Sequence, residues 1–225
     1  PQGYDTFTLA SDAASMVRAL GEVDAVVVGQ GSGAWTAWAM PAMQPAVTRG
    51  VAALAMPHPL VLRRASFTDL AQARASAYIL GLQRPFVPER QMGRQSRYVE
   101  RLLRAFASPS SPFPSAEEVQ RYTAAMALPF VAHSAAEHYR WVGRSQLRLD
   151  GRRFNRRLRS RIAVPVLHLH GADDGAVLPG TATGSDRYAA GSFEERLLPG
   201  VGHFVAEEAP DEVNRLLVQW LSSLA

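Results

Sequence analysis

Three stretches of the 225-residue chain carry the residue types and spacing that could do chemistry. Asp174, in Gly171-Ala172-Asp173-Asp174-Gly175, and His203, in Gly202-His203-Phe204, each follow an apolar run that reads as a strand. The third stretch, Gly29-Gln30-Gly31-Ser32-Gly33-Ala34-Trp35, follows the run Ala25-Val26-Val27-Val28 and leads into a helical pattern. A strand, a glycine-rich turn and a helix form an elbow that presents one side chain on a strained backbone at the end of a sheet. Strand and helix nearly touch there, so small residues are needed two before and two after that side chain. Gly29 and Gly33 meet the need and place the nucleophile position at Gly31, which has no side chain to attack with. An acid followed by a histidine has a chemistry of its own. The carboxylate fixes the imidazole tautomer and stabilises its charged form, leaving the other ring nitrogen free to act as a base.

Two other readings of the glycine turn compete with the elbow. A phosphate or dinucleotide loop would need GxGxxG or GxxxxGK[ST] spacing; neither is present, and the chain has no lysine. A plain strand-to-helix turn without chemistry stays open on this stretch alone, as Asp174 alone could be a turn residue and His203 alone a structural one. The order elbow, acid, histidine, each just after a strand, is the order of α/β-hydrolases.

The elements that must position these residues follow from hydrophobic pattern. Ala25–Gly29, Gly50–Met56, Val164–His170 and Glu194–Leu198 are short apolar or mixed runs that read as strands of a parallel sheet, the first two without alternation. Helices are expected over Thr8–Leu20, with Met16, Val17 and Leu20 on one face, and after the elbow, closed by Pro41 and Pro45. A short helix is read at Ser185–Ala190. A last helix, Pro210–Leu224, has the apolar face Val213, Leu216, Leu217, Trp220, Leu221 and Leu224 that suits packing on a sheet. Pro1 to Asp5 reads as a turn. Between about Leu60 and Arg161 β-branched runs disappear and helical spacing takes over: Arg63–Leu82, Met92–Ala107, Ser115–Ala127 and Val131–Gln146, the third opened by a Ser115/Glu118 capping box. The expected organisation is an α/β core over residues 1–59 and 162–225, a parallel sheet flanked by helices, with a helical cap inserted over 60–161.

Composition excludes several classes. There is no cysteine, hence no disulfide, thiol catalysis or cysteine metal site. No metal or cofactor is expected. No apolar run reaches about 18 residues, and a cytoplasmic location is the default expectation. All 24 basic residues are arginines, and the net charge is +4. The excess is local: Arg144, Arg148, Arg152, Arg153, Arg156, Arg157, Arg159 and Arg161 share one segment with a single acid, Asp150. Without aromatic interleaving this is read as a solvated connecting helix and not as a nucleic-acid site, with contact to acidic lipid or another protein left open.

The chain resembles the epoxide hydrolase branch of the α/β-hydrolases, particularly those of actinobacteria, from Pro1 to its end. Gly29–Trp38 is similar to GHDWGGxxAW, Met56-Pro57-His58-Pro59 to NxPHP, and Gly202–Asn214 to GHFxxxExPxxVN. The resemblance implies Asp174 as charge-relay acid and His203 as general base. It also implies two cap tyrosines that hydrogen-bond the epoxide oxygen: Tyr139, in a YR pair with Arg140, and Tyr78, five residues before Gln83-Arg84-Pro85. The family's nucleophilic aspartate is replaced by Gly31 and the histidine before it by Gln30. Ser32 is the alternative nucleophile, although it lies outside the elbow spacing, and with Gly31 it supplies backbone at the oxyanion position. Pro1-Gln2-Gly3-Tyr4-Asp5 resembles the stretch directly after the family's HGxP and DxRGxGxS segments, so an upstream portion, or a partner chain replacing it, is expected to cover the strand at Ala25–Gly29. The implied activity is hydrolysis of a small apolar epoxide or ester. The alternative is a catalytically silent homologue that binds a small apolar ligand or a partner protein.

Overall fold

The computed structural model describes residues 3–93 and 97–224. Of the expected elements, the first two residues of the turn at Pro1–Asp5 and residues 94–96 of the helix expected over Met92–Ala107 lie outside the described residues. In chain order the elements are α1 (Thr6–Ala19), β1 (Ala25–Gln30), α2 (Ser32–Met43), β2 (Thr48–Leu54), α3 (Pro59–Thr68), α4 (Leu70–Ala75), α5 (Tyr78–Leu82), α6 (Val87–Gly93), α7 (Arg97–Phe106), α8 (Ala116–Met126), α9 (Val131–Arg144) and α10 (Leu149–Arg157). They continue with β3 (Val166–Gly171), α11 (Pro179–Ala182), β4 (Phe193–Leu198), α12 (Val205–Glu208) and α13 (Pro210–Ser222).

The four strands pair in the order β1-β2-β3-β4, all parallel. Burial on both faces explains why β2 shows no alternation: every residue of β2 is buried except Arg49, and β3 is buried throughout, whereas β1, equally free of alternation, is only half-buried. One face is covered by Val213, Leu216 and Trp220 of α13, which meet Leu54, Leu167 and Leu169. The other is covered by Ala34, Ala37 and Trp38 of α2, which meet Val51, Ala53 and Val166. At the sheet's end β1 has β2 on one side and no strand on the other among the described residues, and Val28 is 46% exposed.

All the helices from α3 to α10 fall between β2 and β3, and they are shorter than the pattern suggests. The run read as one helix over Arg63–Leu82 is three, because the Asp69 carboxylate accepts from the amides of Ala71 and Gln72 and starts α4 afresh. The Ser115/Glu118 capping box opens α8 as expected. Four further readings need correction. Pro41 does not close α2, which runs on to Met43; a proline in the last turn forfeits only one helical hydrogen bond, and the chain leaves the helix at Gln44, before Pro45. In α1 the buried face is Thr6, Ala10 and Ala14, packed against Met40 and Val47, while Met16 and Leu20 are exposed. Small residues win that face because the helices approach closely. Only a single 3-10 turn, Asp186–Tyr188, forms within Ser185–Ala190. Finally, the connecting helix expected in the arginine-rich segment is present as α10 but is not solvated all round, since it buries Phe154.

Candidate active site

The glycine turn has the geometry of an elbow. Gly31 sits at φ 54°, ψ −118°, tied by its N–H to the Leu54 carbonyl (2.9 Å) and by its carbonyl to the Trp35 N–H (3.1 Å). A side chain would be strained there; glycine is not. Gly29 is required for a second reason, since any Cβ would collide with the Gly33 carbonyl group. At Gly33 itself a Cβ would meet nothing, so the close approach constrains only the strand side. Ser32 opens α2, where amides of the first turn lack intrahelical acceptors. Its hydroxyl makes no hydrogen bond to His203, although it borders the same cavity.

Asp174 and His203 meet where the loops after β3 and β4 leave the same end of the sheet. His203 Nδ1 lies 2.8 Å from Asp174 Oδ2. The other carboxylate oxygen accepts from the amides of Ala176 and Val177, both at 2.8 Å, and Asp174 is buried. Paired in this way, an acceptor-only carboxylate assigns the proton to His203 Nδ1 and leaves Nε2 as a lone pair. That nitrogen faces the elbow, 3.3 Å from where a Cβ on Gly31 would stand. That lone pair is therefore aimed at the place a side chain at the elbow would fill. A second histidine, His170, lies 3.5 Å from the same Asp174 oxygen but bonds the Val177 carbonyl at 2.9 Å. Burial first, then the neighbouring His168 and His203, lower it to about 4 against the pull of Asp174, so at neutral pH it brings no charge to compete for the carboxylate.

The two tyrosines share this cavity. Tyr78 on α5 and Tyr139 on α9 line a chamber of about 380 Å³ together with Gly31, Ser32 and His203. A chamber of that size suits a small ligand. Their rings stand edge to face, 5.8 Å between centroids. Burial pushes both phenols up, Tyr78 well above its ordinary range with Tyr139 and the Asp174 carboxylate adding to the effect. Both are thus protonated at neutral pH and able to donate. Much of the remaining wall is apolar, from Met92, Leu103 and Phe106 among others. A smaller chamber of about 40 Å³, which also borders Ser32, Tyr78, Tyr139 and His203, lies on the side of Leu62 and Val142.

Several residues that hold this arrangement were not legible in the sequence. Gln72, fully buried on α4, donates to the Ala176 carbonyl and accepts from the Leu178 N–H, bracing the Asp174 loop. The Phe106 carbonyl accepts from the His203 N–H at 2.8 Å. Glu208 takes the amides of Ser108, Gly202 and Phe204, and so fixes the loop on both sides of His203. Gln30 donates to Glu207, which also accepts from the Tyr122 hydroxyl on α8. Arg140 joins Glu89, Glu137 and the carbonyls of Leu82 and Arg84, tying α9 to the segment after α5. Glu208 and Arg140 had a signal as members of the ExP and YR patterns, and Gln30 as the residue in place of the family's histidine. The rest are contacts between groups far apart in sequence.

Parallel sheet, elbow and acid–histidine pair define a class, and the sequence agrees with it. The profile of the alpha/beta hydrolase family matches residues 1–216, and the chain belongs to that family. Among solved structures the fold is similar to a point mutant of an epoxide hydrolase from Bacillus megaterium, with TM-score 0.81 and 20% identity over 98% of this chain and 77% of that one. It is similar also to ALR0039 from Nostoc sp PCC 7120, with TM-score 0.80 and 23% identity over 97% and 73%. A third is Cfl2 from Burkholderia cenocepacia, with TM-score 0.79 and 24% identity over 98% and 73%. At these identities the likeness is one of fold. No curated protein matches the sequence.

Proposed function

We propose that the protein hydrolyses a small apolar epoxide or ester, with His203 acting as general base on water. The observation that carries this reading is the Asp174–His203 pair, whose free Nε2 faces the space over Gly31 inside the cavity that both tyrosines line. In the proposed step a water held above Gly31 loses a proton to Nε2 as its oxygen attacks the substrate carbon. The imidazolium is stabilised by the Asp174 carboxylate, and desolvation strengthens that interaction. With an epoxide, the breaking C–O bond leaves an oxygen that Tyr78 and Tyr139 hydrogen-bond and protonate; with an ester, the tetrahedral oxygen is held by the Ser32 amide and a tyrosine. The imidazolium returns its proton through the tyrosine or to the leaving oxygen, so water adds and nothing else is consumed. Ser32 does not act as nucleophile in this reading, because no hydrogen bond links it to His203. The helical segment over 60–161 serves as a cap that closes the apolar chamber, and the open edge of β1 is taken by a further strand from upstream sequence or a partner chain.

The test is a panel of small aryl epoxides and short-chain aryl esters presented to the purified protein, the His203→Ala variant and the Tyr139→Phe variant. Turnover that depends on His203 and weakens without the Tyr139 hydroxyl supports the reading. Binding of panel members without turnover by the wild type sinks it in favour of a silent homologue.

A further inference from the structure

The arginine-rich helix α10 has a feature that a merely solvated face would lack. At 100° per residue, Gly151, Phe154 and Leu158 point inward and are buried. Arg152, Arg153, Arg156 and Arg157 fill the opposite arc, all exposed, and none has a side-chain hydrogen bond or ion pair among the described residues. Leu149 stands in the middle of that arc, 70% exposed, and Leu147 in the turn before it is 90% exposed. The lone acid, Asp150, is engaged by Arg148 at 3.3 Å. A third apolar group belongs to the same surface. Arg63 on α3 bonds the Gln146 side chain and lies over the ring of Phe67, which is 72% exposed.

Three exposed apolar tips beside the four unpaired guanidinium groups of α10 match one kind of partner by charge. Apolar tips lower themselves into a hydrocarbon boundary, while arginines form paired hydrogen bonds with phosphates at the same depth. An acidic protein would need an apolar patch matched in shape to these tips as well as its acids, whereas an anionic lipid surface offers phosphates and hydrocarbon side by side at every point. We infer that this face, built from α10, the turn at Leu147 and the end of α3, docks the protein onto an anionic lipid surface. Docking does not depend on the catalytic reading, since it involves neither His203 nor the cavity.

The experiment is flotation of the full-length protein with vesicles of phosphatidylcholine alone and of phosphatidylcholine mixed with phosphatidylserine. Retention is expected on the mixed vesicles only and should weaken as salt is raised. Replacing Arg152, Arg153, Arg156 and Arg157 together by Gln should weaken it by about 100-fold or more, since each cation near such a surface contributes about fivefold. The double variant Leu147→Ser, Leu149→Ser should lose about tenfold or more with all charges kept. All six side chains are exposed, so thermal melts should not move and serve as the folding control. Equal retention on both vesicle types, no retention on mixed vesicles at low salt, or variants that float like the wild type would overturn the inference. Capture by heparin or an acidic protein without vesicle binding would also overturn it, assigning the face to a polyanion. Hydrolysis need not be measured, so failure here leaves the proposed activity standing.

Discussion

Under the proposed mechanism, placing a carboxylate at the elbow should replace direct attack by water with attack through a covalent ester. In Gly31→Asp the new residue must adopt φ 54°, ψ −118°, at a cost of about 1 to 3 kcal/mol. Its Cβ would lie 3.3 Å from His203 Nε2, tight but relieved by a small ring rotation. For a chain of this size each kcal/mol lowers the melting temperature by about 2 to 4 °C, so the variant should melt about 2 to 12 °C below the wild type. The carboxylate then attacks the epoxide carbon in place of water, and His203 activates water against the resulting ester. Epoxide turnover should rise by about 100-fold or more, because a positioned nucleophile replaces one recruited from solvent. Single-turnover reactions in 18O-labelled water give the clearest readout. Wild-type product should carry label from the first turnover, whereas first-turnover product of the variant should not, its oxygen coming from the introduced carboxylate. Adding His203→Ala to the variant should trap an ester adduct visible by intact mass. A variant that folds with the expected melting temperature yet forms no adduct and gains no turnover would show that Gly31 is not the nucleophile position.

Other predictions rest on buried charge. His58, His138 and His170 are held neutral by burial, lowered to about 3, about 4 and about 4. Because the unfolded chain protonates near 6.5, stability is complete above about pH 7 and falls as pH drops from there toward 4, each histidine costing about 2 kcal/mol at pH 5. Denaturant melts at pH 7.5 and 5 should differ by about 6 kcal/mol from these three groups, and equal midpoints would contradict their burial as neutral rings. Arg140→Ala leaves Glu89 and Glu137 without their shared guanidinium and should cost about 3 to 5 kcal/mol, measured by chemical denaturation; a loss under about 1 kcal/mol would refute its role in tying α9 to α5. If the open edge of β1 receives another strand, hydrogen exchange at Val26–Gln30 should slow when upstream sequence or the partner is present, and unchanged exchange would remove that proposal.

The part of this site that the sequence discloses is local. Gly29 and Gly31 announce the elbow because turn geometry acts over a few residues, and Asp174 and His203 are found because each follows its strand directly. Tyr78 and Tyr139 are singled out only through the resemblance, and both line the cavity over Gly31. The contacts that escape are held together across the chain. Gln72 reads as an ordinary helix polar residue, and nothing near it in sequence says that it braces a loop more than a hundred residues away. Phe106 acts through its carbonyl, which any residue possesses. Helix α10 reads as solvated all round since only Phe154 and Leu158 give it an apolar side, and Leu147 and Leu149 can be recognised as exposed only once those two are seen to face inward. The exposure of Met16 and Leu20 has the same origin: periodicity finds an apolar stripe but not the neighbour it must pack against.

The central claim is that His203, oriented by Asp174, does the work of the site without a nucleophile from Ser32. It is tested most directly by comparing kcat/KM of wild type, His203→Ala and Ser32→Ala on the best substrate from the epoxide and ester panel, each variant confirmed folded. Loss of general-base catalysis should lower the His203→Ala value by about 100-fold to 10,000-fold, while Ser32→Ala stays within about threefold of wild type. Abolished turnover in Ser32→Ala, with a burst of released alcohol in the wild type marking an acyl-enzyme, would contradict it.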